Sequence, residues 1–547
     1  MLRRHQAFVG ATAFGIAILV ALADAQVGRG GSEWLTARGD AQRTSWIRSD
    51  ALISVAAMSK PGFELQWKTK LENANRSNFG LGGGVSAPGV TLFVPMSLVT
   101  GSSNNVYAVD SDTGYLVWQR HFDAPLPAAT DACPGGTTSA PTRIVSVTPP
   151  AAETATDRGG GGRNTQGYHS VLGQPGAGAP VEVRSGGPGR GGAPPAAGRG
   201  PGAPANAAGP PPAGGAPAGA AGQRANAPAP GRGGQGGGFG RGPGDPIPGA
   251  PAEQLGGGGG LGRPSGVVYM ISSDGMLHVM GLQSGKDLQR PAPFVPANSR
   301  WSDPIAVGTT LYTSTSGGCG GAPDAVWAID LESAAKPVVS WKSTQPLVGA
   351  IAFTTDGRLV TVTSHSIGTL DAKTLRSGES LSVSDAEFVT GPTIFRDKDR
   401  EFVAVGVKGG GVYVANIPPG TPTSKRSGVA VDALATWLDD TSARWIIVPT
   451  AHAVEALRVD KSGGWTASDL TAPSTPIVVN GVVFVLEHGP VAVLHAYDDA
   501  TGKELWTSGK TMTAAAAPGS FWSAFGQVYV GTLDGTLYAF GFTDERR

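Results

Sequence analysis

The chain is poor in cysteine: Cys133 and Cys319 are the only two among 547 residues. Two cysteines cannot build a tetrahedral structural zinc site alone, and the absence of CxxCH excludes covalent haem attachment. Net charge is also absent, with 42 Lys plus Arg against 42 Asp plus Glu. No global field therefore draws the chain to nucleic acid or an anionic membrane, and a charged partner must be recognised locally. GxSxG, HExxH and GxxxxGK[ST] do not occur, which removes support for hydrolase, zincin and P-loop chemistry. Beyond the first 25 residues no run of about 20 apolar residues is present, so no membrane span is expected.

The N-terminus combines Arg3 and Arg4, an apolar run to about Leu22 and the small residues Ala23 and Ala25. This is the pattern of a secretory signal over 1–25, cleaved after Ala25. With no cysteine at the cleavage site to accept a lipid, the expected location is periplasmic or secreted. An oxidising compartment favours a Cys133–Cys319 disulfide. The 84 Gly and 43 Pro concentrate between 149 and 263, where GRGGAPPAAGRGPGAPANAAG offers almost nothing to bury and predicts a disordered insertion. Its GRGGQGGGFGRG stretch, similar to the Arg-Gly-Gly segments of RNA-binding proteins, is read as a flexible loop.

Elsewhere, short runs rich in Val, Tyr, Ile and Phe alternate with Gly, Asn and Asp turns, which predicts an all-β body. The runs repeat. VYAVDSDTGYLVW at 106–118 aligns with LHAYDDATGKELW at 494–506, placing Ala108 on Ala496, Asp110 on Asp498, Thr113 on Thr501, Gly114 on Gly502 and Trp118 on Trp506. Because Asp112 becomes Ala500, the aspartates are read as turn residues rather than calcium ligands. Upstream starts of the type Ser86-Ala87-Pro88, Ser139-Ala140-Pro141, Thr390-Gly391-Pro392 and Ser474-Thr475-Pro476 recur, with 53 residues from Ser86 to Ser139 and 84, two units of 42, from Thr390 to Ser474. That period suits propeller blades of four antiparallel strands.

Seven units fit between 85 and 510. An eighth begins at FWSAFGQVYVGTLDGTLYAFGF and lacks its last strand, which FELQWKTKL at 63–71 can supply. The expectation is an eight-bladed β-propeller over 32–148 and 264–547, closed by pairing of 63–71 with the C-terminal strands, with seven blades as the alternative. Closure of this kind also hides sheet edges.

The unit AxDxxTGxxxW resembles the repeat of the pyrroloquinoline quinone (PQQ) type β-propellers, which include quinoprotein alcohol dehydrogenases and the outer-membrane assembly factor of the Bam complex. The resemblance implies that Trp118 and Trp506 act as spacers between blades beside Gly114 and Gly502, with Ala108 and Ala496 in the same docking motif. For the dehydrogenases it implies PQQ under a vicinal Cys-Cys ring, with a metal held by Glu, Asn and Asp. Cys133 and Cys319 are not vicinal, and the chain left after signal and insertion is short for that class.

The first-strand starts should line the channel mouth: Asn78, Thr137, Thr138, Arg300, Trp301, Asp303, Trp522 and Ser523. A planar ligand could stack on Trp301 or Trp522 while Arg300 paired with its carboxylate; the competing reading has these residues capping strands and filling the channel neck. His488 beside Glu487 is read as surface rather than an oriented base. Three functions follow: a non-catalytic binding or assembly scaffold for a protein or small ligand, a PQQ- and calcium-dependent oxidoreductase, and an outer-membrane assembly factor. The scaffold is the preferred reading, without metal or cofactor.

Overall fold

The computed structural model describes residues 33–87, 95–147, 266–417, 423–425, 432–460 and 463–543. The signal at 1–25 and the insertion at 149–263 lie outside the described residues.

Eight small sheets form an eight-bladed β-propeller. Blade one is Leu81–Ala87, Met96–Gly101, Asn105–Asp110 and Leu116–His121. Blade three is Ile305–Val307, Thr310–Ser316, Ala325–Asp330 and Val338–Lys342. Blade four is Ala352–Phe353, Leu359–Val362, Ser366–Leu370 and Ser377–Ser382. Blade five is Thr393–Asp397, Arg400–Gly406, Val412–Ile417 and Thr423–Lys425. Blade six is Ala435–Leu438, Arg444–Pro449, Ala453–Arg458 and Gly464–Ser468. Blade seven is Ile477–Val479, Val482–Glu487, Val493–Asp498 and Glu504–Thr507. The second strands are buried along most of their length because a blade is covered on both faces by its neighbours: Phe484, Ile446, Val403 and Leu98 are all fully buried.

Blade eight joins Ala516–Ala524, Gln527–Thr532 and Thr536–Phe542 to Phe63–Lys70 from the other end of the chain. Pairing runs from Phe63 opposite Phe542 to Lys70 opposite Thr536. The Phe63 ring seals the seam, 5.0 Å from Trp506 and 5.3 Å from Phe542.

Blade two departs from the regular pattern. Its first strand is reduced to a bridge between Thr142 and Tyr269, followed by Val267–Ile271, Met276–Gly281 and Ala292–Pro293. The next residues, Ile144–Val145, pair in parallel with Ile305–Val307 of blade three. Innermost strands all run the same way around the axis, so a segment shared between two blades there can only add in parallel.

The repeated turn is built alike in four blades. The Asp110 carboxylate accepts the N–H of Asp112 and Thr113, Asp498 those of Ala500 and Thr501, Asp371 those of Lys373 and Thr374, and Asp330 those of Glu332 and Ser333. Each aspartate spends its acceptor capacity on its own turn, as the repeat predicts for punctuation rather than metal binding.

Tryptophan does space the blades, but its partners differ from the expected pairing. Gly114 receives Trp67 of blade eight, Gly285 of blade two receives Trp118, and Gly502 receives Trp465 of blade six; a Cβ on any of these glycines would stand 2.5–2.6 Å from the indole. The indole N–H of each ring donates to a carbonyl beside the same turn: Ser111, Leu282 and Asp499. The outer strand of one blade thus faces the third-to-fourth turn of the next, which carries Trp118 forward, away from its own Gly114. Trp506 meets Phe63 and Phe540 of blade eight instead of a glycine, while Ala108 and Ala496 lie opposite Trp118 and Trp506 across their own sheets.

Candidate functional site

The centre of the propeller is taken up by the chain itself. Residues 34–50, which carry no repeat, run around the innermost strands and bond to every blade in turn. The Trp34 carbonyl accepts from Ser86 N (2.8 Å) in blade one, Leu35 from Arg143 (2.8 Å) in blade two, Ala41 from Phe353 (2.8 Å) in blade four and Gln42 from Ile394 (2.9 Å) in blade five. Thr44 accepts from Thr436 (3.0 Å) in blade six and Ser45 from Val478 (2.9 Å) in blade seven. Thr36 donates to the Pro304 carbonyl at the start of blade three (3.2 Å), and the Asp50 carboxylate accepts from Gly526 of blade eight (3.1 Å). Trp46–Ile47 adds in parallel to Ile477–Val479.

Two arginines anchor this strap, and both need carbonyls because no carboxylate forms an ion pair with them among the described residues. Arg43 is fully buried and donates to the carbonyls of Ile351 (3.1 Å), Ala37 (2.6 Å) and Asp303 (2.9 Å) and to Thr36 Oγ1 (3.3 Å). Arg38 donates to Thr393 Oγ1 (2.9 Å), Ser45 Oγ (3.3 Å) and the Leu434 carbonyl. Burial, followed by the neighbouring Arg43 charge, draws Arg38 down to about 10, and burial lowers Arg43 as well. Arg38, Arg43 and Ser45 all hold positive φ (62°, 59° and 54°), a conformation that persists only where the surroundings over-determine it.

The mouth residues fall into two groups. Trp522 is fully buried; it stacks on Tyr529 at 5.1 Å, donates to Ser86 Oγ at 3.2 Å and fills the space over Gly84. Trp301 is 5% exposed and donates to Ser139 Oγ at 2.8 Å. Ser523 donates to Gln527 O and Thr137 to Asn104 Oδ1. Asp303 Oδ1 accepts Ala140 N (2.8 Å). These side chains are committed to the neck. Arg300 and Asn78 are exposed, the first donating to the Ala132 carbonyl and the second to Asp131; Thr138 is half-buried. Beside them Cys133 and Cys319 form a disulfide, Cα atoms 5.5 Å apart, tying the segment before blade two to a loop of blade three.

The residues present do not fit PQQ with calcium at this mouth. Neither indole offers a face, the Asp303 carboxylate already serves a backbone N–H, and the disulfide spans blades instead of forming a vicinal ring. Among the described residues no group of three or more His, Cys, Asp or Glu converges to hold a metal.

Two other constellations look chemical. Glu487 does not orient His488; it bonds His495 Nε2 across the sheet at 3.0 Å, while Glu504 takes the other ring nitrogen at 2.7 Å. His488 instead faces the Ala472 carbonyl, and burial lowers its pKa. In blade two, Ser272 Oγ lies 2.9 Å from His278 Nε2 and His278 Nδ1 3.1 Å from Asp287 Oδ1, the order of a nucleophilic triad. Ser272 is 1% exposed, however, and its hydroxyl donates to Asp274 at 2.5 Å. Thr354 and Thr532 bond Asp356 and Asp534 in equivalent turns, so Ser272 is a turn residue. Asp287 pairs with Arg120 of blade one at 2.5 Å, and the set staples two blades.

A cavity of about 550 Å³ between blades four and five is lined by Asp356, Arg358, Arg396, Asp399, Arg400 and Glu401 among others. Its named charges balance, Arg358 is paired to Asp356 at 2.9 Å, and burial raises Glu401. On the outside, Tyr115, Leu116 and Val117 form a consecutive exposed apolar stretch (76%, 42% and 48%) at the outer edge of blade one. Among the described residues no helix is long and apolar enough to cross a membrane.

No protein-family model matches the chain, and no curated protein matches it. Solved structures do. Quinohemoprotein alcohol dehydrogenase from Comamonas testosteroni is similar at 12% identity and a TM-score of 0.52, over 93% of this chain and 80% of that one. Sqt1 from Saccharomyces cerevisiae is similar at 9% identity and a TM-score of 0.50, over 88% of this chain and 100% of that one. BamB from Moraxella catarrhalis shares 15% identity over 51% of this chain and 80% of its own, with a TM-score of 0.39. At these identities the likeness establishes the propeller fold and nothing finer.

Proposed function

We propose that this chain is an exported β-propeller acting as a non-catalytic binding or assembly scaffold. The observation that carries the reading is the strap: residues 34–50 run along the innermost strands and bond to all eight blades, below a mouth whose Trp301 and Trp522 are buried. Recognition then falls to the outside of the molecule. The outer strand Leu116–His121 is the last in its sheet, so among the described residues one ladder of backbone N–H and C=O groups is open beside Tyr115, Leu116 and Val117. An extended apolar segment of a partner protein could add there by strand pairing, the backbone giving affinity and the alternate side chains specificity.

The test is a photo-crosslinking amino acid at position 116, introduced into the full chain in cells that export it. A discrete protein adduct at 116, lost in Val117→Glu, supports the scaffold. No discrete adduct at 116, nor at 300 on the disulfide-bearing side, overturns it. Retention of the chain in the cytoplasm overturns export.

A further inference from the structure

Arg38 and Arg43 of the strap and Arg444 of blade six all lie at the inner strands, and the last is unlike the other two. Arg43 and Arg38 spread their N–H groups over carbonyls and hydroxyls, four bonds for the first and three for the second. Arg444, at the start of the second strand of blade six, is 6% exposed, yet its one hydrogen bond among the described residues runs from Nε to the Arg396 carbonyl at 3.0 Å. No carboxylate lies within ion-pair distance of it among the described residues. Its guanidinium sits over Trp46 of the strap at 5.5 Å and over Phe395 of blade five at 5.7 Å. Arg48 lies over the same Trp46 ring at 4.6 Å, bringing a like charge to the same place.

Ring contacts engage the faces of a guanidinium, and the Arg396 carbonyl engages one of its five donors. Among the described residues the four Nη hydrogens along its edge are unspent, and neither nitrogen is sealed from solvent. Burial, then the like charge of Arg48, pulls Arg444 down to about 9 against the opposing charges of Asp397 and Asp40, neither of which reaches ion-pair distance. A solvent-reached fork of parallel N–H groups beside two aromatic rings matches the edge of a carboxylate, sulfate or phosphate.

We propose that Arg444 is the anchor of an oxyanion-binding site at the rim of the channel, walled by Trp46 and Phe395, that takes one carboxylate, sulfate or phosphate group edge-on. The site is independent of the scaffold reading: it uses the strap and the inner hairpins of blades five and six, away from the edge of blade one.

The probes are sodium phosphate, sulfate and acetate, titrated into the full chain with sodium chloride holding ionic strength constant. Thermal unfolding and calorimetric titration are the readouts. Sulfate and phosphate stabilise most proteins by exclusion, without saturating; a site gives saturation, with a hundredfold shift of the folding constant at 100 times the dissociation constant. Saturable binding of at least one probe is expected, and which of the three binds separates planar from tetrahedral ligands. Arg444→Met should abolish saturation and Arg444→Lys, which keeps the charge but not the fork, should weaken it. In chloride alone Arg444→Met should unfold no earlier than the parent, because it removes a buried cation held by a single hydrogen bond among the described residues, and the bound oxyanion should reverse that order. If Arg444→Met does not fold, Phe395→Leu provides the second variant and should weaken binding. Linear responses to all three salts, no heat of binding, or saturation unchanged in Arg444→Met would each overturn the site.

Discussion

Replacing Arg43 by Met tests whether the strap is an integral part of the propeller. The substitution keeps the aliphatic stem but withdraws donors from the Ile351, Ala37 and Asp303 carbonyls, which sit in the channel around a side chain with no exposure. A buried acceptor left without its donor costs about 1–3 kcal/mol. Three of them would exceed the total expected loss if nothing relaxed, and relief of the guanidinium's own burial offsets part of it. The expected loss is about 3–5 kcal/mol, the sum over three unsatisfied acceptors less that relief. Denaturant unfolding measures that loss, and amide exchange localises it. Phe353, Ile394, Thr436 and Val478, whose N–H groups bond to the strap, should exchange faster, while the outer strands should hold. A loss below about 1 kcal/mol with unchanged exchange would show that the strap rests in the channel without contributing to it.

Gly114 and Gly308 both hold positive φ, 74° and 63°, but a Cβ at 114 would stand 2.6 Å from the Trp67 ring whereas one at 308 meets nothing within 4 Å. Gly114→Ala should therefore cost about 1–3 kcal/mol more than Gly308→Ala, and equal losses in denaturant unfolding would contradict docking of Trp67 on this turn. Cys133 and Cys319 close a loop with a separation of 186 residues, so Cys133→Ser with Cys319→Ser should cost up to about 5 kcal/mol in the chain-entropy limit; a change below about 1 kcal/mol would show that the loop is held by other contacts. Burial alone would raise Asp287, but the His278 and Arg120 bonds outweigh it and hold its pKa below the ordinary carboxylate value. Its stabilisation is then complete above about pH 3.9 and lost as pH falls through the lower folded value. Asp287→Asn should flatten the acid limb of stability below about pH 4; an unchanged limb would mean that the staple between blades one and two contributes nothing there.

The repeat carried most of the fold. AxDxxTGxxxW marks a turn and a docking aromatic, and short buried strands announce themselves as apolar runs, so eight blades and their closure by Phe63–Lys70 were legible. The strap was not. Its bonds are made largely by backbone carbonyls of residues without periodicity, and Arg38 and Arg43 carry no motif that marks them as inward-facing. Only the ring of inner strands turns them inward. Trp301 and Trp522 stand out in the sequence, but whether an indole offers its face or fills a gap is decided by Gly84, Tyr529 and the serine hydroxyls around it, which are distant in sequence. The same holds for Trp118, whose partner Gly285 lies beyond the insertion. Arg444 carried no motif; its isolation follows from what two other blades and the strap fail to place beside it.

With the chain's own strap bonded to all eight blades inside the ring, the proposed scaffold recognises its partner from the exterior and holds no PQQ. The most direct measurement is titration of the purified full chain with PQQ in the presence of calcium, following thermal unfolding and reduction of an artificial electron acceptor with alcohol and sugar substrates. A filled channel predicts no PQQ-dependent dye reduction and no saturable stabilisation that requires both PQQ and calcium. A tight complex dependent on both, with turnover of an alcohol or sugar, would contradict it.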